Sequence, residues 1–272
     1  MSETIRADVF GDPEVERVRY DRRGPVALLT LTDEGLNGYT YRMFRELDEY
    51  ILHARFDPEV QAIVITGDGE HFCAGANIKM LEAADATSKY YFCLHANETL
   101  SRLEQTPKLV IAAINGHCVG GGFEIALACD IIIAAENAKF ALPEPKVGLA
   151  AGAGGMQRLS RQIPLKKAMG MMLTARHVPA KEGFDLGFVT ALAPEGKALD
   201  VAKEWAAQIL ECSPMSIRAT KQVVMRSHDV PTLETALNNN LYPAYIALAN
   251  SEDTVEGPRA FAEKRKPNWK GR

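Results

Sequence analysis

Short apolar runs that alternate with helical patterns constrain the fold of this chain most strongly. The runs are AIVITG (62–67), LVIAAIN (109–115) and DIIIAAE (130–136). Each is short and rich in β-branched residues, which predicts a buried strand. Between them, segments 40–56 and 90–105 read as helices, and the first places Met43, Phe44, Leu47, Ile51 and Ala54 on one face. This alternation predicts an α/β fold with parallel strand pairing.

The sequence changes character in its second half. From residue 153 onward strand signals nearly vanish, and successive segments read as helices. No low-complexity linker separates them from the first half. We therefore expect these helices to pack on the same core or on a neighbouring subunit.

The overall charge and the cysteines restrict the function classes. The chain has 272 residues and a formal net charge of -4, so it lacks the net positive charge typical of proteins that bind nucleic acid or anionic membranes. It contains five cysteines, an odd number without framework spacing, and the N-terminal segment lacks an apolar signal region. We expect a cytoplasmic protein with reduced thiols that binds neither nucleic acid nor membrane.

A glycine run follows the strand at 109–115, in the segment GHCVGGGFEIALACD (116–130). Glycine tolerates positive φ and lets another backbone or a ligand approach closely. If a helix begins at Gly121, its first N–H groups are unpaired and suit an oxyanion, with the acid Glu124 close by. The alternative is close helix–strand packing, with Glu124 on a solvated face.

Other motifs overlap the same segment. A dinucleotide G-x-G-x-x-G pattern from Gly120 would need glycine at 125, where Ile125 stands, so it is set aside. The pattern around Cys118 also matches a G-x-nucleophile-x-G elbow. That hypothesis needs a downstream histidine, and neither His177 nor His228 has a recognisable setting.

Two further segments carry candidate chemistry. HFCAGANIKML (71–81) is a small-residue loop entering a helix, so its N–H groups could face a ligand. KFALPEPKVGLAAGAGGMQRL (139–159) holds Glu144 between two prolines that restrict the chain around it. A plain surface ion pair with Lys146 is the alternative for this acid.

Together these segments resemble the crotonase (enoyl-CoA hydratase/isomerase) superfamily over nearly the whole chain. The motifs are FCAGANIKM, INGHCVGGGFEIALACD, FALPEPKVGLAAGAGG and SPMSIRATK, in this order. The resemblance implies an α/β spiral of ββα turns over 1–197 that holds an acyl-CoA site. It also implies a helical region over 198–272 for trimerisation, which covers that site, in a homotrimer or homohexamer.

The resemblance also implies a site and a reaction. Backbone N–H groups of Ala76 and Gly121 would form an oxyanion hole for an acyl-CoA thioester. Glu124 and Glu144 together resemble the two-glutamate hydratases, which add water to a 2-enoyl-CoA to give 3-hydroxyacyl-CoA, reversibly and without a metal or redox cofactor. The remaining substrate- or CoA-binding positions would be Ala74, Asn77, Ile78, Lys79, Gly120, Phe123, Phe261 and Lys264.

Two of the predicted site positions depart from the family pattern. Asn77 stands where Asp is frequent, which would change how the loop is braced, and Phe123 would narrow or reshape the acyl pocket. The identity of the acyl group therefore stays open. So do two alternatives: a crotonase-fold isomerase, hydrolase or C–C lyase on another acyl-CoA, and a non-catalytic acyl-CoA or RNA-binding relative.

Overall fold

The computed structural model of this protein describes residues 15–33 and 35–272. The strands are β1 (Val18–Arg23), β2 (Val26–Leu31), β3 (Ala62–Gly67), β4 (Leu109–Ile114), β5 (His117–Val119), β6 (Ile131–Ala135), β7 (Lys139–Ala141), β8 (Val178–Pro179) and β9 (Ala191–Ala193). The helices are α1 (Tyr41–Phe56), α2 (Ile78–Ala83), α3 (Ala86–Glu104), α4 (Gly121–Leu127), α5 (Gly155–Gln162), α6 (Leu165–Thr174), α7 (Ala180–Leu186), α8 (Ala198–Ile209), α9 (Pro214–Ser227), α10 (Leu233–Ala236), α11 (Pro243–Ala249) and α12 (Asp253–Ala262). Short 3-10 turns span Glu144–Val147 and Asn239–Leu241.

The main sheet has the strand order β1-β2-β3-β4-β6-β9. β1 and β2 form an antiparallel hairpin, whereas β2–β3, β4–β6 and β6–β9 pair in parallel. A second, small sheet has the order β5-β7-β8, with β5 and β7 parallel. The predicted α/β fold with parallel pairing is confirmed.

Helix α1 follows its sequence pattern. Thr40 caps it, because its side-chain oxygen accepts a hydrogen bond from Met43 N at 3.2 Å. The five apolar residues expected on one face are all buried. Helix α3 begins earlier than predicted, since Asp85 caps it by accepting from Ser88 N at 2.7 Å.

The second half contains strands that the sequence pattern did not indicate. β9 joins the edge of the main sheet through Ala191–Ala193, and β8 pairs antiparallel with β7. Both are two or three residues long, and β9 is built from Ala-Leu-Ala. Such segments lack the β-branched run that signals a strand, and neighbouring strands determine their conformation.

The chain divides into two compact units, which do not follow the sequence continuously. The first contains residues up to 106 together with 110–204, and the second contains 107–109 and 205–272. The trimerisation role expected for 198–272 stays a prediction. No helix in the described residues is long and apolar enough to cross a membrane.

Candidate active site

The loop after β3 lies alongside β5. Cys73 N donates a hydrogen bond to His117 O at 3.1 Å, and Val119 N donates to Cys73 O at 2.9 Å. Ala76 and Gly121 follow shortly after these paired residues in their own segments. The pairing therefore places the two predicted oxyanion-hole segments next to each other.

Gly120 occupies a backbone conformation that favours glycine. Its φ is 55° and its ψ is -126°, so an L side chain would be strained there. A Cβ at this position would lie 3.1 Å from Glu144 Oε1 and 3.5 Å from Gly75 Cα. Gly120 thus leaves open the small space between the two loops and the carboxyl group.

The next two glycines are required by packing inside the protein. A Cβ on Gly121 would lie 2.2 Å from Cε1 of Tyr39, and one on Gly122 would lie 2.5 Å from Cys73 O. Both distances are far below van der Waals contact. Close approach of a ring and a backbone explains these two glycines, without reference to a ligand.

Both predicted oxyanion-hole donors at this junction are free. Within residues 15–33 and 35–272, neither Ala76 N–H nor Gly121 N–H has an acceptor in the protein. The N–H groups of Asn77 and Gly120, their neighbours, both donate to backbone carbonyls. The two donors that the family resemblance implies for the oxyanion hole are therefore among the unpaired N–H groups at this junction.

Glu124 is fixed inside α4. It is 2% exposed, which excludes the solvated-face alternative, and its Oε1 accepts a hydrogen bond from Gly155 N at 2.9 Å. Burial raises its pKa to about 7, the Gly155 hydrogen bond opposes this, and the charge of Glu144 raises the pKa further. Glu124 can therefore exchange a proton near neutral pH.

Glu144 opens the 3-10 turn Glu144–Val147 and is half-buried. Its Oε2 is buried and has no hydrogen-bond partner among the described residues. Burial raises the pKa of this carboxyl group above its usual value. Within the described residues, no ion pair joins Glu144 to the exposed Lys146. The alternative of a surface ion pair between these two residues is therefore not supported.

The turn before helix α5 is held by side chains from α3 and from α5 itself. Asn97 Nδ2 donates to Gly152 O at 2.6 Å, and Arg158 Nη1 donates to Ala153 O at 3.1 Å. The Arg158 guanidinium also bonds both oxygens of Glu104, at 3.2 and 3.1 Å. This network fixes the backbone N–H that orients the buried acid on α4.

The other predicted binding positions of the loop after β3 lie just before α2 or in its first turn. Ala74 is half-buried, whereas Ile78 and Lys79 are exposed. Asn77 caps α2, since its Oδ1 accepts from Met80 N at 3.2 Å. Asn and Asp are equally good caps, so the departure at this position leaves the loop braced.

Phe123 does not face open space. Its side chain is fully buried, and its ring centroid lies 5.2 Å from those of Phe140 and Phe188. Every residue of α4 is buried, and position 123 points into this aromatic cluster. This packing corrects the expectation that the ring narrows the acyl pocket.

The two positions expected from the C-terminal region lie in the second unit. Phe261, in α12, is 87% exposed, and Lys264 follows the helix with a φ of 55°. Their assignment to CoA binding stays a prediction.

Cys118 lacks the setting of an elbow nucleophile. It lies within β5, is completely buried, and forms a backbone bridge with Cys73. Burial raises the pKa of its thiol well above the usual value. An attacking cysteine needs access and a lowered pKa, so this geometry contradicts the elbow hypothesis.

Sequence reasoning missed Tyr39 and Asn97, both of which contact the site. Tyr39 packs against Gly121, and its ring lies 5.6 Å from that of Phe44. Thr40 is the cap between them, so Tyr39 and Phe44 occupy the positions of a hydrophobic staple. That spacing is the signal that could have identified Tyr39.

Known proteins resemble this chain in sequence and structure. The chain matches the enoyl-CoA hydratase/isomerase family over residues 21–272. It is 37% identical over 263 residues to the carnitinyl-CoA dehydratase of Citrobacter koseri, covering 94% of this chain and 99% of that protein. The carnitinyl-CoA dehydratase of Salmonella enteritidis matches with the same identity and coverage.

Solved structures agree. An enoyl-CoA hydratase from Bacillus anthracis superposes with a TM-score of 0.90 at 32% identity, over 94% of this chain and all of that one (100%). One from Mycobacterium tuberculosis gives 0.84 at 31% identity, over 94% and 99%. The fold is therefore that of the crotonase superfamily, and the chain belongs to the enoyl-CoA hydratase/isomerase family.

Proposed function

We propose that this protein catalyses the reversible addition of water to a 2-enoyl-CoA thioester, giving a 3-hydroxyacyl-CoA. The observation that carries the proposal is the pair Glu124 and Glu144. Both carboxyl groups have raised pKa values, and the charge of Glu144 acts on Glu124. Two carboxyl groups in a dry site cannot both ionise cheaply, so the pair holds a proton near neutral pH.

The proposed addition uses each acid once. Glu124, oriented by the Gly155 N–H, holds a water molecule and accepts a proton as the water oxygen bonds to C3. The C2–C3 π electrons move toward the thioester carbonyl, whose oxygen becomes an enolate oxygen. Glu144 then donates its proton to C2, which restores the carbonyl. Dehydration is the same sequence reversed.

The free N–H groups of Ala76 and Gly121 would stabilise the enolate oxygen. Charge develops on this oxygen only as the reaction proceeds, so donors aimed at it lower the barrier. Removing one such donor typically costs about 3 kcal/mol. The proposed steps are an addition of water and two proton transfers, so they call for no metal or redox cofactor, and coenzyme A is part of the substrate.

The remaining contacts and the physiological direction are also proposals. Ala74, Ile78 and Lys79 would line the bound CoA, with Phe261 and Lys264 at its nucleotide. The curated relatives named above are dehydratases, so 3-hydroxyacyl-CoA thioesters, carnitinyl-CoA among them, should be assayed beside enoyl-CoA thioesters of different lengths. We expect the protein to act in the cytoplasm.

Substituting each acid by glutamine tests the mechanism. Glutamine keeps the size of the side chain but cannot exchange a proton. We expect Glu124→Gln and Glu144→Gln each to lower kcat by at least about a hundredfold, with KM much less affected. The double variant should lose far less than the product of the two, because the pair acts as a unit.

A buried glutamate elsewhere provides the matched control. Glu46 accepts hydrogen bonds from Arg17 N and Val18 N, so Glu46→Gln should cost stability without changing kcat. Hydration within about threefold of wild type by either site variant would contradict the two-acid mechanism. A product with a shifted double bond, or free CoA, would instead indicate an isomerase or a hydrolase.

We also propose assembly as a trimer or a dimer of trimers. The second unit exposes large apolar side chains on several helices, including Val224, Leu233, Leu237 and Val255. Where such side chains form a contiguous patch, they mark a protein–protein contact. Light scattering should give three or six times the mass of one chain, and a monomer at micromolar concentration would refute this.

A further inference from the structure

Tyr39 contacts both segments that present the free backbone donors. Its N–H donates to Gly75 O at 2.9 Å, and its carbonyl accepts from Asn77 N at 3.0 Å. These two hydrogen bonds flank Ala76 on either side. The Tyr39 backbone therefore fixes the peptide that carries the first donor.

The ring of Tyr39 contacts the second donor. A Cβ on Gly121 would lie 2.2 Å from Cε1 and 2.7 Å from Cζ of the ring, so the ring rests directly on the Gly121 backbone. Phe92 stacks on the ring at 5.5 Å and 10°, and Phe44 meets it edge-on at 5.6 Å and 85°. With aromatic contacts on these sides, the ring has a defined position.

The phenol is suited to packing and not to proton transfer. Burial raises its pKa well above the usual value, and the charges of Glu124 and Glu144 raise it further. Tyr39 is therefore neutral throughout the pH range in which the two acids exchange protons. Its effect on the reaction must come from the space that its ring fills.

We propose that Tyr39 is a positioning residue that sets the spacing between the N–H groups of Ala76 and Gly121. Its backbone holds one donor and its ring holds the other, so one residue couples the two loops. The inference rests on the proposed function, because that spacing matters only if both donors bind one oxygen. Misplacing a catalytic group by about 1 Å can cost on the order of a hundredfold in rate.

Two substitutions at this position separate the ring from the hydroxyl. Tyr39→Leu removes the ring and lets the Gly121 backbone move, whereas Tyr39→Phe keeps the ring. Tyr20→Leu is the matched control, since Tyr20 is a tyrosine of the same unit whose ring packs on Tyr50 and His53. If Tyr39→Leu does not fold, Tyr39→Met replaces it, because the flexible, unbranched side chain of methionine can fill an irregular gap.

The decisive measurement uses a 3-ketoacyl-CoA as probe. Its C2 carbon loses a proton to solvent and leaves an enolate, which absorbs in the near ultraviolet and carries charge on the thioester oxygen. A titration of this absorbance for the bound probe reports how well the donors stabilise that charge. Affinity for a saturated acyl-CoA, measured in parallel by calorimetry, reports the intact binding site and the active fraction.

We expect Tyr39→Leu to lower the enolate-formation constant of the bound probe and the kcat by about tenfold or more. Saturated acyl-CoA affinity should stay within about threefold. Tyr39→Phe should restore both quantities, and Tyr20→Leu should leave both unchanged. Equal enolate formation in Tyr39→Leu and wild type, or a loss in Tyr39→Phe as large as in Tyr39→Leu, would overturn the inference.

The proposed function can fail separately. A wild-type protein that stabilises the enolate but hydrates no enoyl-CoA would refute the hydratase proposal and leave the role of Tyr39 intact. A wild-type protein that binds the probe without stabilising its enolate would overturn both.

Discussion

The two acids of the candidate site are held in very different ways. Glu124 lies in a helix in which every residue is buried, and the Gly155 N–H fixes one of its oxygens. Glu144 lies in a short 3-10 turn, is half-buried, and has one oxygen with no partner among the described residues. One carboxyl group is held by a backbone donor, while the other keeps an unused acceptor oxygen.

This difference suits two different tasks in a hydration. Holding a water molecule against one face of an alkene requires an acceptor with fixed direction. Delivering a proton to carbon requires a group whose proton is not committed to another partner. The geometry therefore supports Glu124 as the water-holding base and Glu144 as the proton donor.

The largest effect is expected at the glycine that orients Glu124. A Cβ at Gly155 would lie 2.9 Å from Glu124 Cγ and 3.0 Å from its Oε1. Gly155→Ala should therefore displace the carboxyl group and lower kcat by about a hundredfold, as expected for a misplaced catalytic group. Steady-state kinetics over a range of substrate concentrations measures this loss.

A second glycine supplies the control for that variant. Gly170 lies within α6, and nothing lies within 4 Å of a Cβ built on it. Gly170→Ala should leave kcat unchanged and stabilise the protein slightly, since alanine favours the helix. If Gly155→Ala retained full activity, fixed orientation of Glu124 would not matter for the reaction.

An intermediate effect is expected when Glu124→Gln changes how the stability of the protein depends on pH. The pKa of Glu124 rises from 4.5 to about 7 on folding, so the folded state binds its proton more tightly than the unfolded state. The stability linked to this proton is complete below about pH 4.5 and is lost as the pH rises through about 7. Near pH 8, Glu124→Gln should therefore exceed wild type by up to about 3 kcal/mol in unfolding free energy.

The comparison with Glu144 sharpens this test. The glutamine amide oxygen at 124 can still accept from Gly155 N, so near pH 5 the variant and wild type should be about equally stable. Glu144→Gln should gain less near pH 8, because solvent screens its half-exposed carboxyl group. Urea unfolding of the three proteins at both pH values measures the differences, and a Glu124→Gln variant less stable than wild type near pH 8 would refute the raised pKa.

The sequence was sufficient for the α/β class and the buried face of α1, and the role of the two acids stays a prediction. Strong helical periodicity and short β-branched runs signal local structure directly. The strand β9 was not predictable in this way, because Ala191–Ala193 adopts its conformation by pairing with β6. The motifs pointed to both acids. They could not show that the two carboxyl groups are held differently, because this difference depends on the hydrogen bond between Gly155 and Glu124, which are 31 positions apart.

The glycine run shows the same limit. Its residue types indicated a close approach, which the structure confirms at Gly121 and Gly122. What approaches could not be inferred, because Tyr39 and Cys73 lie far away in the sequence. The ring of Phe123 was misplaced for the same reason: its partners Phe140 and Phe188 come from other elements.

The smallest effect is expected at Cys118, a buried thiol in the strand β5 that precedes the glycine run. Its thiol is completely buried and its pKa is raised, so it stays protonated and inaccessible. Cys118→Ala should therefore keep kcat within about threefold, with a stability cost of about 1 kcal/mol for the lost sulfur contacts. Cys212 is exposed, so an alkylating reagent should label Cys212 before Cys118 under native conditions, as mass spectrometry can show. A stable acyl adduct on Cys118 would show that the thiol, and not the carboxyl pair, carries the chemistry of this segment.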